Sequence, residues 1–105
     1  MSVCRDLFLG FVRLYILHHA GREPVYGLWL MEELAHHGHE LSAGTIYPML
    51  HSLQEEGLLV DEKQVVGGKV RRYYRLTDAG QEALDRGREK ALELLDEIRE
   101  ESVGW

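Results

Sequence analysis

Cysteine is nearly missing: Cys4 stands alone in a chain of 105 residues. A single thiol excludes an intrachain disulfide and fits the reducing cytoplasm. Only Arg5 lies near enough in sequence to lower its pKa, so an incidental thiol is expected rather than a redox switch. Proline occurs twice, at Pro24 and Pro48, and each marks a point where a helix must stop, start or bend. No apolar run reaches the length of a membrane span. The first residues lack the basic, apolar and small-residue order of a secretory leader. Internal repeats and low-complexity tracts are absent. So are a nucleophile motif, a phosphate-cradling glycine loop ahead of a helix, and a defensible pair of catalytic carboxylates, which argues against an enzyme. Basic residues are in short supply as well, 12 against 18 acidic, for a formal net charge of −6. That total is a poor starting point for nucleic-acid binding.

The distribution of charge changes the picture. Residues 1–62 carry three basic and nine acidic side chains, and residues 77–105 carry four and nine. Between them, residues 63–76 hold Lys63, Lys69, Arg71, Arg72 and Arg75 and no acid. A compact basic segment therefore sits inside an acidic protein of one-domain size.

Apolar spacing predicts the elements. Phe8, Phe11, Val12 and Tyr15, widened by Leu7, Leu14 and Leu17, predict a first helix over 5–19, with an apolar surface broad enough to meet more than its own core. Gly21 and Pro24 predict a loop at 20–24. A second helix over 25–37 carries a seam of Tyr26, Leu30 and Leu34, and Gly38 caps it. In Leu41 to Gly57 the residues Ile46, Met49, Leu50, Leu53 and Gly57 form a core stripe. The opposite arc holds Gly44, Tyr47, Pro48, His51, Ser52 and Glu55, with Thr45 at its margin. A solvated helix face is usually rich in long charged side chains, and this arc is not. Small residues at the first turns allow close approach to a DNA groove, where free backbone N–H groups meet phosphate. Either Ser42 caps the helix, with Pro48 bending its second turn, or Thr45 caps it and Pro48 is harmless.

After Gly57 the period becomes two. Leu58 to Val65 and Lys69 to Leu76 predict two strands joined by a turn at 66–68, since Gly-Gly supplies positive φ. On the return strand Val70, Arg72, Tyr74 and Leu76 share one face, and Lys69, Arg71, Tyr73 and Arg75 the other. Thr77 caps a last helix, where Leu84, Ala91 and Ile98 recur every seven residues and Leu94 and Leu95 thicken the seam. Two heptads do not hold a helix alone, so it must lie on its own domain, a second subunit or both. Gly80 and Gly87 within it either weaken the helix or permit close packing. The fold expected is mainly α with a small β-hairpin: a winged helix-turn-helix over 1–76 plus a long C-terminal helix over 77–105.

His36, His37 and His39, with His51 and Glu40 nearby in sequence, weigh less as a metal site than as solvated helix-end residues, because the three histidines at the helix end include no i, i+4 pair and no cysteine joins them. No metal and no cofactor is expected.

Tyr26-Gly27, Leu41-Ser42-Ala43-Gly44-Thr45-Ile46-Tyr47-Pro48-Met49-Leu50, Glu56-Gly57-Leu58-Leu59 and Arg72-Tyr73-Tyr74-Arg75-Leu76-Thr77-Asp78-Ala79-Gly80 together resemble the PadR family of winged-helix transcriptional regulators, over about residues 10–98. The resemblance implies a cytoplasmic homodimer that binds a palindromic operator, usually as a repressor. It places Ser42, Gly44, Thr45, Tyr47, Pro48 and His51 of the recognition helix and Lys69, Arg71, Arg72 and Tyr73 of the wing on double-stranded DNA. It gives the dimer contact to Leu84, Ala91, Leu94, Leu95 and Ile98, helped by Phe8 and Phe11. This chain looks like the short subfamily with one C-terminal helix. Some relatives bind aromatic or apolar effectors between subunits and then leave DNA. Trp29 stands where the family motif commonly has an acid, which makes it a candidate effector contact beside the ordinary reading of a partly buried packing residue. Trp105 is a further candidate for that surface. The competing reading is a winged helix that binds protein instead of DNA.

Overall fold

The computed structural model describes residues 2–99. Six elements follow in order: α1 (Val3–Arg22), α2 (Gly27–His36), α3 (Ala43–Glu55), β1 (Leu59–Val66), β2 (Lys69–Leu76) and α4 (Asp78–Ile98). The expected class holds, mostly helical with one antiparallel hairpin.

α1 is longer than the apolar stripe predicts. Ser2 caps it by accepting from the Arg5 N–H at 3.2 Å, and the helix runs through Gly21. Gly21 is not a breaker here. A Cβ at that position would lie 2.8 Å from Leu76 Cδ2, so glycine lets β2 approach the last turn. The stop comes at Glu23, extended because it precedes Pro24, and the expected loop at 20–24 shortens accordingly.

α2 starts two residues later than predicted. Val25 exchanges hydrogen bonds with Tyr74, 3.0 Å in one direction and 2.7 Å in the other, which makes it a one-residue third strand on β2. Tyr26 becomes the N-cap and leaves the seam of Leu30 and Leu34. Ser42 is the N-cap of α3, so Pro48 lies inside the helix. The hairpin turns on Gly67 and Gly68, both at positive φ (59° and 79°), between the paired Val66 and Lys69. Positive φ at both central residues is the turn whose twist matches paired strands.

The core joins Val12, Ile16 and Leu17 of α1, Leu30 and Leu34 of α2, and Ile46, Leu50 and Leu53 of α3. Leu59 and Tyr74 of the hairpin close one side, and Leu84 of α4 another. Thr77 locks the start of α4: its hydroxyl accepts from the Gly80 N–H at 3.0 Å and donates to the Gly57 carbonyl at 2.6 Å. Gly80 sits against the Leu58 carbonyl and Gly87 against the Leu14 side chain, so both interior glycines are sites of close packing. Arg88 still reaches His18 of α1 at 2.7 Å and Ala91 is half-buried, but beyond Leu92 α4 is exposed, and the long axis of the molecule reaches 62 Å.

Candidate nucleic-acid interface

α3 buries Ile46, Met49, Leu50 and Leu53 and turns the opposite arc outward. Ser42, Gly44, Pro48, His51 and Ser52 are exposed there, and Thr45 is half-buried. The hydroxyls of Ser42 and Thr45 meet at 3.4 Å at the head of the helix. Pro48 offers no N–H to the Gly44 carbonyl, so that acceptor has no helical partner. Tyr47 is 45 % exposed, not fully projecting: its ring covers Gly27, where a Cβ would come within 2.5 Å. His51 pairs with Glu55 at 3.1 Å across one turn.

The wing adjoins α3 through a hydrogen bond from Gln54 to Asp61. Its five basic residues are not equivalent. Arg72 lies on the Asp61 face, with Nε 2.9 Å from the carboxylate, and is held within the wing while staying exposed. Arg75 pairs with Glu62 at 3.3 Å. Arg71 stacks over the Tyr26 ring, 4.1 Å from its centroid, and Tyr73 meets the same ring edge-on at 5.3 Å. Lys63 and Lys69 are exposed and have no ion-pair partner among the described residues. Lys63 was not among the wing residues that the sequence singled out, although it is exposed like Lys69. The signal was present, because pairing outward from Gly67-Gly68 sets Lys63 directly across from Arg72.

The residues expected at a dimer contact divide. Leu84 is 3 % exposed and belongs to the chain's own core, so it is not surface for a partner. Leu94, Leu95 and Ile98 are exposed, as is Leu92, which the heptad count passed over. Phe11 is exposed on α1, and Phe8 and Ala91 are half-buried. Phe8, Phe11, Ala91 and Leu92 line an open groove of about 800 Å³ between α1, the end of α2 and α4.

Trp29 packs on its own α1, edge-on to His19 at 5.2 Å, and lies outside that groove. His19 in turn touches Tyr15 at 4.5 Å. Burial, then the neighbouring His18, lowers the His19 pKa, while Glu33 opposes the shift. Burial and then Glu33 raise the Tyr15 pKa, and its hydroxyl is buried without a partner among the described residues. The other histidines scatter, His37 onto Glu33 and His39 onto Phe8. No group of three or more His, Cys, Asp or Glu converges among the described residues. Trp105 lies outside the described residues.

Residues 16–86 match the model of the transcriptional regulator PadR-like family. The chain belongs to that family. It is 52% identical to the transcriptional regulator Rv3488 of Mycobacterium tuberculosis over 94 residues, which covers 90% of this chain and 88% of that one. Its fold is similar to a PadR family transcriptional regulator from Eggerthella lenta, with a TM-score of 0.83 and 36% identity, covering 92% of this chain and 86% of the other. A PadR-like transcription factor from Bacteroides fragilis superposes with a TM-score of 0.80 at 26% identity, covering 93% and 96%. The PadR-like chain is thus a transcriptional regulator with a winged-helix fold, and not an enzyme. Among the described residues, no helix is long and apolar enough to cross a membrane.

Proposed function

We propose that this PadR-like chain is a cytoplasmic homodimeric repressor that binds a palindromic operator in double-stranded DNA and is released by a small apolar or aromatic effector. Residues 1–76 read the DNA and residues 77–105 carry the dimer contact. The observation that carries the reading is the pairing of an α3 face uncharged over its first turns with an adjoining wing that holds two lysines without an ion-pair partner among the described residues, in a chain that is otherwise acidic. In this reading α3 enters the major groove with Ser42, Gly44, Thr45 and Tyr47 leading and Pro48 and His51 behind, while Lys63, Lys69 and Tyr73 lie along the sugar-phosphate backbone. Phosphate contact by lysine is strong in low salt and carries no sequence information, so the base readout falls to α3.

A palindrome needs two recognition helices about 34 Å apart, one turn of DNA. The exposed Phe11, Leu92, Leu95 and Ile98 support pairing of two copies through α1 and α4. An effector wedged between subunits would change the spacing of the helices. A tenfold loss of operator affinity needs about 1.4 kcal/mol of preference for the wrong spacing, within the range of an aromatic contact. Trp29 then serves as a reporter of α1–α2 packing or as part of the contact itself.

The test is a gel-shift titration on the DNA immediately upstream of the chain's own gene, over a salt series, with and without planar aromatic compounds. Salt-sensitive binding that one of the compounds weakens is expected. Binding that ignores salt would reject phosphate contact, and capture of a protein with no affinity for the duplex would favour the interaction-module reading.

A further inference from the structure

The wing is fastened to the helical body at its base by the Val25–Tyr74 backbone bridge and the Gln54–Asp61 hydrogen bond, and nearer its tip by a side-chain contact. The Val25–Tyr74 bridge holds the base of β2. The register of that bridge sets Tyr26 beside Tyr73, where the rings meet at 5.3 Å with 74° between their planes. Two pairs further toward the tip, the Arg71 guanidinium covers the Tyr26 ring at 4.1 Å. Its neighbours Arg72 and Arg75 pair with carboxylates of β1, inside the wing itself. Arg71 alone of the three reaches across to the body. On the other side of Tyr26, Gly27 lies under the Tyr47 ring of α3. A continuous seam therefore runs from the recognition helix, through the first residues of α2, to the middle of the wing.

We propose that Arg71 and Tyr26 form a latch that fixes the angle of the wing against α3, and that Arg71 is a positioning residue rather than a phosphate contact. This rests on the DNA-binding reading above. An isolated two-stranded ribbon is marginally ordered, and a wing held only at its base has to be oriented when DNA arrives. A guanidinium stacked on an aromatic face is held in place while its edge stays hydrated, a geometry that suits arginine better than lysine. The latch thus sets Lys63 and Lys69 in register with α3 before binding. The opposing account has Arg71 leave Tyr26 for a phosphate, and the two differ in salt dependence.

The experiment measures anisotropy of a labelled duplex from immediately upstream of the chain's own gene, over a salt series, for the full chain and four variants. Tyr26→Phe keeps the ring face and should bind like the parent. Tyr26→Leu and Arg71→Gln should each weaken binding by roughly two- to fivefold, the strength of an exposed cation–π pair, and the double variant should be no weaker than either single one. The slope of log affinity against log salt should be unchanged in Arg71→Gln, because no counterion release is lost. Hydrogen exchange at the wing amides of the free protein should quicken in Tyr26→Leu and Arg71→Gln but not in Tyr26→Phe. A slope flattened by about 0.9 in Arg71→Gln, with Tyr26→Leu at parental affinity, makes Arg71 a phosphate contact and overturns the latch. Additive losses in the double variant overturn it too. A parent protein that binds no duplex defeats the DNA-binding reading itself, whereas either of the former patterns, with the parent bound, defeats the latch alone.

Discussion

His19 sits between Tyr15 and Trp29 with its imidazole partly withdrawn from water. The groups that face it are His18 and Arg22 on α1 and Glu33 and His37 on α2, and only Glu33 favours the charged ring. Its folded pKa is lowered, so between that value and the unfolded value of about 6.5 the unfolded chain binds the proton and the folded one does not. The contribution of neutral His19 is complete above about 6.5 and declines as the solution is acidified. Urea midpoints of the parent should fall toward mildly acidic pH more steeply than those of His19→Asn. Parallel pH profiles would show that His19 is not the group responsible. Single residues were also where the sequence was least legible. Alternation separates Arg72 from the other wing arginines but does not show Asp61 2.9 Å away, and Tyr26 looks like a seam residue until Val25 pairs with Tyr74. Both depend on partners distant in sequence, which periodicity does not carry.

The wing as an element was legible, since alternation marked the strands and Gly-Gly the turn, but its register was not read: Val66, expected in the turn, pairs with Lys69. What charge counting could not give is which cations remain unpaired. With Arg72 and Arg75 held by β1 carboxylates, Lys63 and Lys69 are the cations to which the proposed phosphate contact falls. Replacing both with Ala should flatten the salt slope by roughly 1 to 2 and weaken specific and non-specific duplexes alike. An unchanged slope would take the wing off the DNA. Helix existence was likewise plain, and helix ends were not. α1 continues through Gly21 because Leu76 needs the space, and α2 waits for Gly27 because Val25 is taken by the sheet.

For the whole molecule, α4 serves two surfaces with different residues. Leu84 fills the core, while Leu92, Leu95 and Ile98 stay exposed on the projecting part. Heptad spacing assigns Leu84 and Ile98 to one stripe and cannot say where along it the body ends. Leu95→Asp with Ile98→Asp should give folded monomers in light scattering, with helical circular dichroism retained and operator binding lost. Leu84→Asp should instead unfold the chain by burying a charge without a partner. A double variant that remains dimeric would move the contact elsewhere. The division between core and projecting leucines would make folding and the proposed pairing separate equilibria. When the chain is scarcer than the dissociation constant of the proposed dimer, dimer concentration follows the square of chain concentration. Doubling expression then quadruples the species able to span both half-sites, so the gene under control would respond to the abundance of its regulator more steeply than in proportion.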